Sequence, residues 1–66
     1  MAYLNLKAEM AKKGITFENV AQLLDIHRNS VSNKINGNSS FSIEQAEKIY
    51  NEFFPESKLS YLFKHQ

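Results

Sequence analysis

The stretch VAQLLDIHRNSVSNKING, residues 20–37, holds two short helical patterns with only Asp25, Ile26 and His27 between them. Phe17, Val20, Ala21 and Leu24 recur at i, i+3, i+4 and i+7, which is one face of an α-helix. Val31 and Ile35 form the inner seam of a second helix, running from about Arg28 to Ile35, with His27 at its cap and Gly37 closing it. Two helices joined this tightly must cross steeply, and a steep crossing needs a small side chain where the backbones approach. Ala21 supplies one, opposite Val31, while Ile26 in the turn points the same way. The connection also needs a residue comfortable at positive φ, and Asp25 is among the tolerable non-glycine choices. Such a turn presents the second helix to something outside the chain.

The rest of the chain reads as helix too. A first helix is predicted over about Asn5 to Lys13, with Asn5 as cap, Leu6 and Met10 on one face and Gly14 as the stop. Thr16 caps the next helix, and Ile15 before it sits at staple spacing from Val20. In the fourth helix, SIEQ from Ser42 is a capping box and Phe41 is placed to staple onto Ala46. Its apolar face continues through Ile43, Ala46, Ile49, Tyr50 and Phe53 until Pro55. A last short helix, Ser57 to Phe63, places Leu59, Leu62 and Phe63 at i, i+3 and i+4. The expectation is an all-α fold, a compact five-helix bundle with a helix-turn-helix, in one domain over residues 1–66.

Composition removes several classes of function. A chain of 66 residues buries little, and with no cysteine neither a disulfide nor a thiolate zinc site compensates. His27 and His65 lack carboxylates at ligand spacing, so no metal site is expected. No nucleophile–base pair or phosphate loop can be assembled either, so neither an enzyme, a cofactor nor a small-molecule ligand is expected. No apolar run is long enough for a membrane span, and no cationic start precedes an apolar block. The expected localisation is cytoplasmic. A net charge of +1 says little, but its distribution says more. From Ile26 to Ile43 there are Arg28, Lys34 and His27 and no acid, whereas the acids are Glu9, Glu18 and Asp25 before and Glu44 onward after.

With Ala21, Leu24, Ile26, Val31 and the closing Asn36-Gly37, the stretch from Phe17 to Gly37 resembles the helix-turn-helix of lambdoid phage repressors and Cro. The ending FFPESKLSYLF is similar to the tail of small repressors from phages and mobile elements of low-GC Gram-positive bacteria. Three positions depart from the family pattern. Phe17 stands where a phosphate-touching glutamine is common, Asp25 replaces the turn glycine, and Lys34 precedes Ile35 where an apolar residue and then an acid are usual. The resemblance implies a lambda-repressor-like domain whose third helix reads a double-stranded DNA operator in the major groove.

Taking Val31 and Ile35 as inward, Arg28, Asn29, Ser32 and Asn33 are expected on or beside the opposite face. The resemblance implies base contacts at the same four positions. Arginine forks onto guanine O6 and N7, asparagine pairs with adenine N6 and N7, and serine serves either as donor or acceptor. Phosphate contacts are expected from Thr16, His27, Lys34, Asn36, Asn38 and Ser39 at the periphery. For Thr16 and His27 helix capping explains the residue as well, and Lys12 and Lys13 read as a solvated helix end. Most aromatics belong to the core, with Phe54, Tyr61 or Phe63 expected to stay exposed and form a homodimer contact through the C-terminal helix. The reading is a sequence-specific DNA-binding transcriptional regulator, a Cro-like or repressor protein of a phage or mobile element. The alternative is a protein–protein interaction module on the same fold, such as an antitoxin-like adaptor. Near-neutral charge favours that alternative, and the acid-free helix face disfavours it.

Overall fold

Five helices follow one another in the computed structural model, which describes residues 2–66: α1 (Leu4–Lys13), α2 (Phe17–Leu24), α3 (Arg28–Ile35), α4 (Ile43–Phe53) and α5 (Leu59–Leu62). No strand occurs among the described residues, so the all-helical expectation holds. Only the first position of the expected single domain lies outside the described residues.

The boundaries follow local chemistry. Gly14 stops α1 at φ 69°, a left-handed conformation that a Cβ would make costly. Thr16 opens α2 reciprocally: its Oγ1 accepts from the Asn19 N–H at 3.1 Å, and its own N–H donates to Asn19 Oδ1 at 2.8 Å. Asp25 ends α2 at φ 57°, and the Ile26 N–H returns to the Ala21 carbonyl at 3.1 Å. Ser42 and Gln45 form the second reciprocal cap, at the start of α4. Each of these four boundaries falls where the sequence places it.

The core is a single cluster. α2 packs on α3 and α4, α1 on α3 and α5, and α4 on α5. Leu6, Val20, Val31, Ile35, Ile49, Phe54 and Leu62 are almost wholly removed from water, and Ala21 is buried with them at the α2–α3 crossing. Each large apolar side chain so buried contributes roughly 1.5–3 kcal/mol. A domain this small has none to spare.

Four details differ from the sequence expectation. α1 starts at Leu4, and Asn5 lies within it; the Asn5 Nδ2 donates to the Tyr61 carbonyl at 2.9 Å, so it ties α1 to α5 instead of capping a helix. Ile43 is 79% exposed, because as the first residue of α4 it precedes the turns that rest on the core. Phe54 is fully buried, while Tyr61 stays 45% exposed and Phe63 is half-buried edge-on to Tyr3 and Phe41. α5 is one turn only, and Leu59 at its start remains 37% exposed.

Lys13 also departs from a solvated helix end. Its Nζ donates to the Phe53 carbonyl at 2.7 Å, pairs with Glu56 at 2.6 Å and lies 5.1 Å from the Phe54 ring centroid. The C-terminal ends of α1 and α4 are thereby joined through one ammonium. The hydrogen bond from Lys13 holds the Glu56 carboxyl below the usual carboxylate range. Lys12, by contrast, pairs within its own helix with Glu9.

Candidate nucleic-acid interface

The bend at Asp25 sends α3 away from α2 with Val31 and Ile35 turned into the core. An α-helix advances about 100° per residue, so the outward direction can be read from these two anchors. Asn33 points most directly away from them, and Asn29 lies close beside it; both are exposed. Ser32 falls on the flank and is half-buried. Arg28 lies neither on nor beside the face opposite the seam, unlike its expected place. It precedes Val31 by one helical turn and shares that side. It is exposed because it is the first residue of α3 and nothing packs over the helix end there. The surface is therefore a face formed by Asn29 and Asn33, with Arg28 at its leading edge.

Hydrogen bonding sorts these residues further. Among the described residues, the side chains of Arg28, Asn29, Asn33, Asn38 and Ser39 make no hydrogen bond or ion pair. No protein group engages their polar atoms, which leaves them available to a ligand. Ser32 Oγ accepts from Asn36 Nδ2 at 3.2 Å, which leaves the Ser32 hydroxyl proton to donate elsewhere. His27 Nδ1 accepts from the Asn29 N–H at 3.0 Å and caps α3. Thr16 is committed through its oxygen to the cap of α2, but keeps an exposed hydroxyl donor.

Lys34 stands apart from the other expected phosphate contacts. It is half-buried, and its Nζ donates to the Ser40 carbonyl at 2.9 Å across the loop that leaves α3. That loop passes through Gly37 at φ 93°, and the Asn38 N–H returns to the Asn33 carbonyl at 2.8 Å. Asn36, Asn38 and Ser39 lie exposed along it, next to the outer end of α3. The loop is thus joined to α3 at Asn33, and no acid occurs in the sequence between Ile26 and Ile43.

The family model for the Cro/C1-type HTH DNA-binding domain matches residues 5–53. The chain belongs to this family. No curated protein and no solved structure matches it. In this Cro/C1-type domain the matched span runs from within α1 to the end of α4 and contains the whole α2–α3 pair. α2 and α3 are accordingly the two helices of its helix-turn-helix, and α3 has a width that the major groove of DNA admits. α5 and the residues after Phe53 lie outside the match.

One supporting residue has no signature at sequence level. Tyr3, buried, donates its backbone N–H to the Ile35 carbonyl at 2.9 Å and accepts the Phe41 N–H on its hydroxyl at 3.2 Å. It braces the end of α3 from a position remote in sequence. No spacing rule connects a residue near the N-terminus with a loop in mid-chain, so only the fold reveals it.

Proposed function

We propose that this Cro/C1-type domain is a sequence-specific transcriptional regulator that reads one half-site of an operator per subunit. The observation that carries the reading is the set of unengaged, exposed side chains Arg28, Asn29 and Asn33 on α3, in a stretch free of acids. These are side chains suited to guanine and adenine edges, and Ser32 on the flank adds a donor. Thr16, His27, Asn36, Asn38 and Ser39 supply backbone-positioning contacts around them. The similarity of the tail to small repressors supports a Cro-like or repressor role in a phage or mobile element, acting in the cytoplasm.

The dimer belongs to the same proposal. Ile43, Leu59, Phe63, Phe41 and Tyr3 line an apolar groove of about 360 Å³ between the start of α4 and α5. The exposed Ile43 stands on its lip, beside Glu44 and Glu47, while Lys58 and Lys64 flank α5. A two-fold contact sets the Ile43 of one subunit against the groove of the other, the reciprocal pairing that an isologous interface requires. The occupant is thus a second copy of the chain.

Selection of random duplexes by the purified protein tests the reading. A recovered motif with two-fold symmetry is the expected result. Recovery of unselected sequence would move the assignment to a protein-binding module.

A further inference from the structure

Ser40 and Phe41 share one peptide group, and both of its polar atoms are held by residues from other parts of the chain. Its carbonyl accepts from Lys34 Nζ at 2.9 Å, and its N–H donates to the Tyr3 hydroxyl at 3.2 Å. The same two residues flank the Phe41 ring: the Lys34 ammonium lies 6.0 Å from its centroid, and the Tyr3 ring is tilted against it at 5.3 Å. Tyr3 in turn binds the Ile35 carbonyl through its own N–H. Lys34 and Ile35 are the last two residues of α3. The loop over residues 36–40 therefore leaves α3 and returns to a peptide fixed by that helix's own final turn.

We propose that Lys34 and Tyr3 are positioning residues that clamp the Ser40–Phe41 peptide and so hold the loop over residues 36–40 in register with α3 for its contacts to DNA phosphates. The proposal rests on the DNA-binding reading of this domain. It assigns Lys34 a different task from a phosphate contact. An ammonium that reached for a phosphate would have to release the Ser40 carbonyl, and the loop would lose one of its two anchors. A loop anchored before binding loses less freedom on the duplex, which is how preorganisation raises affinity. Tyr3 is buried, and the Phe41 N–H is the protein partner of its hydroxyl among the described residues, so that hydroxyl is tied to the loop through Phe41.

The two roles of Lys34 differ in salt dependence. A cation that contacts a phosphate adds about one to the slope of log affinity against log salt, while a positioning residue adds nothing. Duplex binding is measured against salt for the parent, Lys34→Met, Tyr3→Phe, the double variant and Lys34→Arg, together with hydrogen exchange at the Phe41 amide. Losing one such hydrogen bond loosens the loop by about 5-fold at most, so each of the two single variants should bind more weakly, by up to about 5-fold, with the parent's slope. The double variant should fall short of the product of the singles, because both act on one peptide. Lys34→Arg should restore binding, and the Phe41 amide, protected in the parent, should exchange faster in Tyr3→Phe. A Lys34→Met slope lowered by about one, with Tyr3→Phe binding like the parent, would overturn the clamp. Rapid exchange at Phe41 in the parent would overturn it even if a variant failed to fold. A parent that binds no duplex at any salt removes the DNA reading and this role with it; a parent that binds beside an unaffected Tyr3→Phe removes this role alone.

Discussion

His27 caps α3 through its ring: Nδ1 accepts the backbone N–H of Asn29 at 3.0 Å. An accepting nitrogen carries no proton, so in the neutral ring the proton sits on Nε2 and is free to donate outward. Cap and outward donor thus come from one side chain. His27→Ala should cost about 0.5–1 kcal/mol of stability, the lower part of the range for lost N-caps. His27→Asp separates the two tasks. It should match or exceed the parent's thermal midpoint, since aspartate is a strong cap, yet bind DNA more weakly at low salt because it adds an anion to the interface. Equal or tighter DNA binding by His27→Asp would place residue 27 away from the phosphates.

The turn between α2 and α3 carries backbone strain at a single non-glycine residue, Asp25 at φ 57°. A left-handed conformation costs an ordinary residue roughly 1–2 kcal/mol, and aspartate less. Asp25→Gly relieves that cost but gives the unfolded chain more freedom, so a net gain of about 0.5 kcal/mol is expected. Asp25→Val should lose more than about 1 kcal/mol, since a β-branched side chain suffers most there. Urea unfolding midpoints check both signs, and a Val variant as stable as the parent would show that the turn adopts another conformation.

Lys13 joins the ends of α1 and α4, and Glu56 reports on that joint. The folded carboxyl is held below its usual value by the lysine hydrogen bond. A depressed folded pKa contributes stability that is present above the unfolded value and lost as pH falls through the folded one. Glu56→Gln should therefore lower the thermal midpoint near neutral pH, with the difference from the parent vanishing in acid. The site is exposed, so the effect should be small and should shrink with added salt. A gap between the two proteins that widened on acidification would reverse the assignment.

Ile43 is where the sequence pattern and the structure part company most usefully. Its spacing puts it on the apolar face of α4, yet it lies outside the core. Substitution there should spare the fold: Ile43→Asp places an acid in the first turn of a helix, where the helix dipole favours it. What should fail is pairing. Sedimentation of the parent on a two-fold duplex should show two subunits bound cooperatively, and Ile43→Asp should bind half-sites independently. Unchanged cooperativity would place the dimer contact elsewhere.

The features legible in the sequence are those fixed by near neighbours. Thr16 with Asn19, Ser42 with Gln45, Gly14 and Asp25 each act within four residues, so their caps and turns fall where composition puts them. Val31 and Ile35 mark the buried side of α3 for the same reason. The failures belong to tertiary context. Arg28 and Ile43 both open a helix, and both are exposed there although the helical wheel puts them on the buried side. Phe54 is buried by elements distant in sequence, and Asn5, Lys13 and Tyr3 find their partners 56, 40 and 38 residues away. No periodicity encodes such partners.

The proposed base reading is open to direct test, and the geometry of α3 ranks its residues. Asn33 lies most directly outward and Arg28 at the leading end, so the two should read different positions of one half-site. A bidentate contact is worth about 1–3 kcal/mol of discrimination. Arg28→Ala should lose that much on the preferred duplex and relax the motif at one guanine; Asn33→Ala should do the same at one adenine. Ser32→Ala, on the half-buried flank and already bonded to Asn36, should change the motif least. Neither Arg28→Ala nor Asn33→Ala removes a core contact, so both should melt with the parent. Removing the arginine charge should also lessen nonspecific binding slightly, whereas Asn33→Ala should leave it unchanged. Selection of random duplexes by each variant checks all three, and an unchanged motif for Asn33→Ala would mean that α3 enters the groove on a different face.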